Sequence, residues 1–281
     1  MATAQPFLRL LLATEHTDFD SGAEALALAL AQRCGLPLAV VLPMLSNAEF
    51  EMLAPELALK ADAETAQRIQ ALQAAARALG VVLSPRVRRG ADLAAEIVAE
   101  ARTARADLLV TRRRGKRSFL SRLLVGEMVT QVVAHAPCSV LVTPRATALW
   151  RTRVMVGVDP QAPDAACVAS AAALAAACQL PLQVVCVAAG AAAQTQAATA
   201  LAVAVQAAQQ VHADVRGEVV TGRAADALLA AAVRCGADLL VLSRNRPGAG
   251  ARARMGSVAE AVTGQAQGPV LVHVAPEAAI P

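Results

Sequence analysis

The chain carries one sequence pattern twice, and this repeat is the feature that most restricts its fold. Four blocks of the first half return in the second half in the same order: residues 10–15 as 154–159, 34–41 as 178–185, 106–110 as 237–241, and 140–142 as 270–272. The first two blocks are displaced by the same 144 positions. Matching blocks in the same order indicate two copies of a single fold. A feature that is present in both copies is less likely to arise by chance than a feature that is present once.

The length of the chain fits this duplication. Its 281 residues correspond to two domains of about 140 residues, each large enough to bury its own core. We predict domains over residues 1–147 and 148–281. The linker between them, about residues 144–152, is short and contains Trp150, so we expect the two halves to pack together.

Each half alternates short β-rich runs with helical stretches, which is typical of a parallel sheet with crossover helices. The predicted strands are residues 8–14, 38–42, 81–87, 108–111 and 140–143 in the first half and 154–158, 182–187, 214–220, 239–242 and 270–274 in the second. The first helix is predicted from Ser21, with Ser21 and Glu24 as a capping box, to a stop at Gly35. The predicted fold class is α/β, with two tandem open parallel five-stranded sheets.

Composition argues against several functional classes. Hydrophobic residues form 56% of the chain, but much of this is alanine, and the most apolar stretch, residues 165–178, is shorter than the roughly 20 residues that span a bilayer. The apolar run at residues 10–13 follows no basic segment, so no signal peptide is indicated. The six cysteines lack metal-binding spacing, and the absence of tyrosine disfavours nucleic-acid binding by base stacking. We predict a cytoplasmic protein without a membrane or nucleic-acid partner.

Positive charge is concentrated in two corresponding loops. Residues 111–122 and 243–256 hold ten of the 26 basic residues and no acid, which leaves 16 basic against 22 acidic residues elsewhere, a net charge of −6. Both loops follow the fourth strand of their half, next to a first strand that ends at Glu15 or Asp159. Ligands of open parallel sheets bind at this edge. The loops are therefore either part of an anion-binding crevice or solvated segments that aid solubility.

Several motifs together resemble the universal stress protein family. They are a first strand that ends in an acid, Asp-Leu-Leu-Val at residues 107–110, Ser-Arg-Leu-Leu-Val-Gly at residues 121–126, and His-Ala-Pro-Cys-Ser-Val-Leu-Val at residues 135–142. The resemblance covers both halves and implies a tandem member with a Rossmann-like fold and a role in stress response. Because the family dimerises through its last strand, it also implies an internal pseudo-dimer formed by residues 140–143 and 270–274, which would cover two exposed sheet edges.

Nucleotide-binding members of this family carry a glycine motif after the fourth strand. It consists of Gly-x-x-Gly, nine residues, and a Gly followed by Ser or Thr, so that the backbone approaches the phosphates and a helix N-terminus binds their oxygens. In the first half, Arg112 replaces the first glycine, the spacer from Gly115 to Gly126 has ten residues, and Glu127 replaces the hydroxyl residue. We predict no cofactor there and place the Glu127 carboxylate in the anion site itself.

The second half retains more of the motif. Ser243 and Arg246 replace the first two glycines, but the nine-residue spacer and the final Gly-Ser pair are kept. The resemblance implies that Asp159 lies beside adenine and ribose and that Val187 lies at the adenine edge, while arginine side chains compensate for the lost glycines at the phosphates. The predicted ligand is ATP or AMP, and the predicted cofactor-binding residues are Asp159, Val187, Ser243, Arg244, Arg246, Gly256 and Ser257.

No catalytic apparatus is indicated by the sequence. It contains no Gly-x-Ser-x-Gly elbow, Walker A loop or HExxH motif, and His16 beside Glu15 is either an acid–base group or a solvent-facing loop histidine. We predict no catalytic residue and no metal site. The predicted function is a stress-response binding or signalling protein with an unidentified protein partner. The alternatives are an ATP-hydrolysing enzyme that uses the second-half site and an interaction scaffold with vestigial pockets.

Overall fold

The computed structural model describes residues 6–46, 52, 55–113, 122–244 and 254–275, with only the backbone described at residues 122–127. Strands and helices alternate along both halves. The elements of the first half are β1 (Leu10–Ala13), α1 (Ser21–Cys34), β2 (Leu38–Leu45), α2 (Pro55–Ala78), β3 (Leu83–Gly90), α3 (Leu93–Thr103), β4 (Leu108–Arg112), α4 (Arg122–His135) and β5 (Ser139–Thr143). The elements of the second half are β6 (Val154–Val158), α5 (Ala165–Cys178), β7 (Leu182–Ala188), a short 3-10 helix (Ala191–Ala193), α6 (Gln194–Gln209), β8 (Val215–Thr221), α7 (Ala224–Cys235), β9 (Leu239–Ser243), α8 (Ser257–Gln265) and β10 (Val270–His273).

The strands of both halves form one sheet in the order β3-β2-β1-β4-β5-β10-β9-β6-β7-β8. Neighbouring strands run parallel within each half, whereas β5 and β10 run antiparallel, with Leu141 opposite Leu271. The predicted α/β class and the tandem Rossmann-like units are confirmed. The structure differs from the predicted pair of five-stranded sheets in one respect, because hydrogen bonds between the last strands join them into a single ten-stranded sheet.

Local sequence signals account for several helix ends. The Asp92 carboxylate accepts hydrogen bonds from two amides in the first turn of α3, and α1 ends at Gly35 with a φ of 62°, a conformation that favours glycine. The predicted capping box at the start of α1 is wrong. The N-cap residue is Asp20, and Glu24 accepts a hydrogen bond from the Thr14 hydroxyl at 2.6 Å instead.

Two apolar layers fill the space between the sheet and its helices, and each layer runs across both halves. One contains buried residues of α1, α2, α5 and α6, and the other contains buried residues of α3, α4, α7 and α8. Trp150 of the linker is 1% exposed and lies in the first layer. The halves therefore share a core, while the domain boundary at residue 147 stays a prediction. Within the described ranges, none of the helices is long and apolar enough to cross a membrane.

Candidate functional site

A cavity of about 370 Å³ opens where β6, β7 and β9 end. Five of the predicted site residues line this cavity: Asp159, Val187, Ser243, Gly256 and Ser257. They come from four separate parts of the second half, namely the end of β6, β7, the end of β9 and the start of α8. The strand order reverses between β6 and β9, so the cavity lies at the position where open parallel sheets bind their ligands.

One wall of the cavity is apolar. Val187 of β7 is partly buried there, and Leu228 of α7 and Leu242 of β9 contribute buried side chains. At Gly157 a Cβ atom would lie 2.7 Å from Leu242 Cδ2, so the glycine lets the leucine pack closely against β6. A smooth apolar wall of this kind suits a flat heterocyclic ring. Val187 is predicted from the sequence and the two leucines are not, although the position of Leu242 directly before Ser243 could have indicated it.

The carboxylate of Asp159 marks the mouth of the cavity. Its Oδ1 accepts a hydrogen bond from the backbone amide of Gln161 at 2.8 Å, and this local turn fixes the side chain. Burial, with the charge of Asp159 as a smaller contribution, raises the pKa of the neighbouring Cys186 thiol to about 11. The thiol is therefore protonated at neutral pH, so Asp159 supplies the negative charge and Cys186 adds none.

The N-terminus of α8 forms the opposite end of the cavity. Gly256 is the N-cap residue in an extended conformation, and its carbonyl oxygen accepts the first helical hydrogen bond from Glu260 at 2.9 Å. The amides of residues 257–259 have no acceptor within the helix, and the helix dipole places partial positive charge at this end. With the exposed Ser257 hydroxyl, this arrangement can bind an anionic oxygen.

Of the two predicted arginines of the site, the structure describes Arg244, which is not among the described residues that line the cavity. Arg246 lies outside the described residues. Arg244 follows β9, but its Nη1 donates to the backbone oxygens of Val133, Ala134 and Ala136 at 3.2, 3.0 and 2.9 Å. These oxygens belong to the end of α4 and the residue after it in the first half. The prediction that Arg244 contacts phosphate is corrected, because its guanidinium group is directed to the other half.

In the first half, an arginine occupies the corresponding crevice. Arg112 Nη2 lies 2.9 Å from Glu15 Oε2, Nη1 donates to Thr17 Oγ1 at 3.1 Å, and Nε lies 3.2 Å from Asp20 Oδ1. Arg112 is predicted as part of the basic loop, and its contacts with these three side chains are not predicted from the sequence. The predicted role of Glu127 falls on a side chain outside the described residues. The observed occupant of this crevice is therefore a cation.

Comparison with known proteins decides the family. The sequence model of the universal stress protein family matches residues 6–144 of the chain and, a second time, residues 151–273. The chain belongs to the universal stress protein family. Two matches in tandem agree with the duplicated sequence pattern. A search of curated protein sequences finds no significant match.

Solved structures share the fold of this universal stress protein. A universal stress protein from Archaeoglobus fulgidus DSM 4304 is 19% identical, with 96% of each chain covered and a TM-score of 0.70. A protein from Pseudomonas aeruginosa PAO1, described as functionally unknown, is 18% identical, with 97% of this chain and 94% of that chain covered and a TM-score of 0.63. At this level of identity the likeness shows the fold alone.

His16 of this universal stress protein lies within hydrogen-bond distance of a nearby carboxylate. Its Nδ1 lies 2.9 Å from Glu24 Oε1, and its backbone adopts a φ of 51°. The side chain is 27% exposed, so His16 is neither fully solvated nor directed at a serine or cysteine nucleophile in the contacts described for it. Across the described part of the chain, no group of three or more His, Cys, Asp or Glu side chains is arranged to hold a metal ion.

Proposed function

We propose that the second half of this universal stress protein binds an adenine nucleotide, ATP or AMP, and that the protein acts as a binding or signalling module in a stress response. One observation carries the proposal: five residues predicted from the sequence motif line a single cavity. Its volume of about 370 Å³ falls in the range of roughly 300–1,000 Å³ that is typical of small-molecule pockets.

The chemistry of the lining suggests how the nucleotide is oriented. The adenine ring packs on the apolar wall at Val187, and the Asp159 carboxylate accepts hydrogen bonds from ribose hydroxyl groups. The phosphates lie at the N-terminus of α8, where the Ser257 hydroxyl and the amides donate. Arg246 stays a predicted phosphate contact. Arg244 is left out of the proposed contacts because its guanidinium group binds the first half.

A binding role is favoured over ATP hydrolysis. Hydrolysis needs a positioned base and, in most phosphoryl-transfer sites, metal ions that neutralise the phosphates. Among the described residues that line the cavity, Asp159 supplies the one carboxylate, and it lies at the proposed ribose end. The other alternative, an interaction scaffold with vestigial pockets, requires that no nucleotide binds. Titration with nucleotide distinguishes both alternatives from a binding role.

We further propose a cytoplasmic location and an unidentified protein partner. The antiparallel hydrogen bonds between β5 and β10 support an internal pseudo-dimer, because each strand covers the edge that the other would expose. The two units of this pseudo-dimer correspond to the proposed domains, residues 1–147 and 148–281.

Isothermal titration calorimetry with ATP and AMP tests the nucleotide proposal. The wild-type chain should give saturable heat for one site, and Gly256→Asp should lose it because a carboxylate at the α8 N-terminus repels phosphate. The matched control is Gly126→Asp at the corresponding glycine of the first half, which should bind as the wild type does. Equal losses in both variants would contradict a second-half site. No heat for the wild type supports the scaffold, and steady phosphate release supports the enzyme.

A further inference from the structure

The two halves use three pairs of corresponding residues in different ways. The repeat pairs Glu15 with Asp159 and Asp20 with Asp164, both 144 positions apart, and it pairs Arg112 with Ser243 at the ends of β4 and β9. In the second half, Ser243 lines the open cavity. The corresponding residue of the first half is Arg112, whose side chain is 9% exposed.

The acidic residues serve different partners in the two halves. In the second half the Asp164 carboxylate caps α5, accepting hydrogen bonds from the amides of Ala166 and Cys167 at 3.1 Å. The corresponding Asp20 makes no such cap on α1. Its Oδ1 pairs with Arg112, and its Oδ2 accepts hydrogen bonds from the amide and hydroxyl of Thr17 at 2.9 and 2.6 Å. Asp20 therefore forms a buried ion pair with Arg112 where the corresponding Asp164 caps a helix.

The resulting cradle matches a guanidinium group in charge and geometry. Three acceptors, on Glu15, Thr17 and Asp20, each face a different nitrogen of Arg112. Two of them are carboxylates, so the cradle favours a cation and needs one for its own stability. The planar guanidinium group can meet acceptors on several sides at once, which a lysine ammonium group cannot do from one position.

We propose that Arg112 is an internal ligand of the first half, whose guanidinium group fills the crevice and thereby keeps nucleotides out. The residue at this position, arginine in one half and serine in the other, then determines which half binds. That Arg112 keeps nucleotides out of the first half rests on the proposed function of the second half. That its guanidinium group fills the first-half crevice does not.

Chemical rescue tests the occupancy. Arg112→Ser should lower the midpoint of thermal unfolding by about 5 °C or more, because two acidic side chains lose their buried partner. Millimolar methylguanidinium should restore part of the loss relative to sodium chloride at equal ionic strength. The wild type and Arg234→Ser, which removes an exposed arginine paired with Glu218, should not be stabilised. Absence of rescue, or equal stabilisation of all three proteins, overturns the proposal.

Binding stoichiometry tests the exclusion. Adenosine is the probe, since it lacks phosphates and does not depend on the basic loops. If the wild type binds one equivalent and Arg112→Ser binds two, both proposals stand. If the wild type binds none and the variant binds one, the second-half proposal fails and the Arg112 proposal stands. Equal stoichiometry in the two proteins overturns it. Should Arg112→Ser not fold, the double variant Arg112→Ser/Asp20→Asn removes the unpaired buried charge and is compared with the wild type in the same way.

Discussion

Arg113 and Arg244 each donate hydrogen bonds to the C-terminal end of a helix in the opposite half of the chain. They directly follow β4 and β9 at corresponding positions of the repeat. Arg113 Nη1 donates to the backbone oxygens of Thr263, at 3.3 Å, and Ala266 at the end of α8, while Arg244 donates to three such oxygens at the end of α4. Oxygens of a last helical turn lack partners within the helix and carry the negative end of its dipole. The two arginines therefore hold the halves together beside β5 and β10.

Replacing Arg244 by alanine should lower the free energy of unfolding by about 1–3 kcal/mol, because buried carbonyl oxygens lose a charged donor. Arg244→Lys should recover only part of this, since an ammonium group does not reproduce the guanidinium fork. Urea unfolding followed by circular dichroism measures both. The control Arg234→Ala breaks an exposed ion pair with Glu218 and should change stability by less than about 1 kcal/mol. A loss in Arg244→Ala that only equals the control would contradict the assigned role.

The single tryptophan of the chain reports on the junction between the halves. Trp150 is buried in the layer that both halves share, and its Nε1 donates to Cys178 Sγ at 3.3 Å. We expect unfolding monitored by tryptophan fluorescence to coincide with unfolding monitored by circular dichroism, because a shared core couples the two halves. Two separate circular dichroism transitions, of which fluorescence follows one, would show that the halves unfold independently.

Two helical glycines should respond to alanine in opposite directions. At Gly22 in α1, a Cβ atom would lie 2.3 Å from the Pro144 backbone oxygen and 2.5 Å from that of Arg145, so Gly22→Ala must displace the linker and should cost about 1–3 kcal/mol. At Gly264 in α8 there is open space around the position of a Cβ atom. Gly264→Ala should therefore stabilise by up to about 1 kcal/mol. Urea midpoints measure both, and a Gly22→Ala variant as stable as the wild type would contradict the packing of the linker on α1.

The sequence predicts the architecture better than it predicts the directions of the long side chains. The alternation of strands and helices follows from local hydrophobic patterning, and the positions of Asp159 and Ser257 follow from their places at strand and helix ends. The side chains of Arg112 and Arg244 have four rotatable bonds, about as many as any residue has, between the backbone and the charge, so tertiary neighbours decide where the charge lies. The capping box at Ser21 was mispredicted for the same reason, since Asp20 and Glu24 are bound by Arg112 and His16.

Asp159 provides the sharpest test of how the nucleotide would be oriented. The conservative change is Asp159→Asn, since the amide oxygen can still accept the hydrogen bond from Gln161 that Oδ1 accepts now. What the variant loses is the negative charge that strengthens hydrogen bonds from ribose hydroxyl groups. We expect adenosine to bind Asp159→Asn about 10-fold more weakly than it binds the wild type, which corresponds to roughly 1.4 kcal/mol.

The control for this prediction is a ligand without the ribose hydroxyl groups. Because 2′,3′-dideoxyadenosine offers Asp159 no donor there, its affinity should be nearly the same for the wild type and Asp159→Asn, as measured by calorimetry. A matching loss for both ligands would mean that Asp159 shapes the loop and does not contact ribose. An unchanged adenosine affinity would indicate that the ribose does not lie at the β6 end of the cavity. It would then contradict the proposed position of the adenine on the wall formed by Val187 and Leu242.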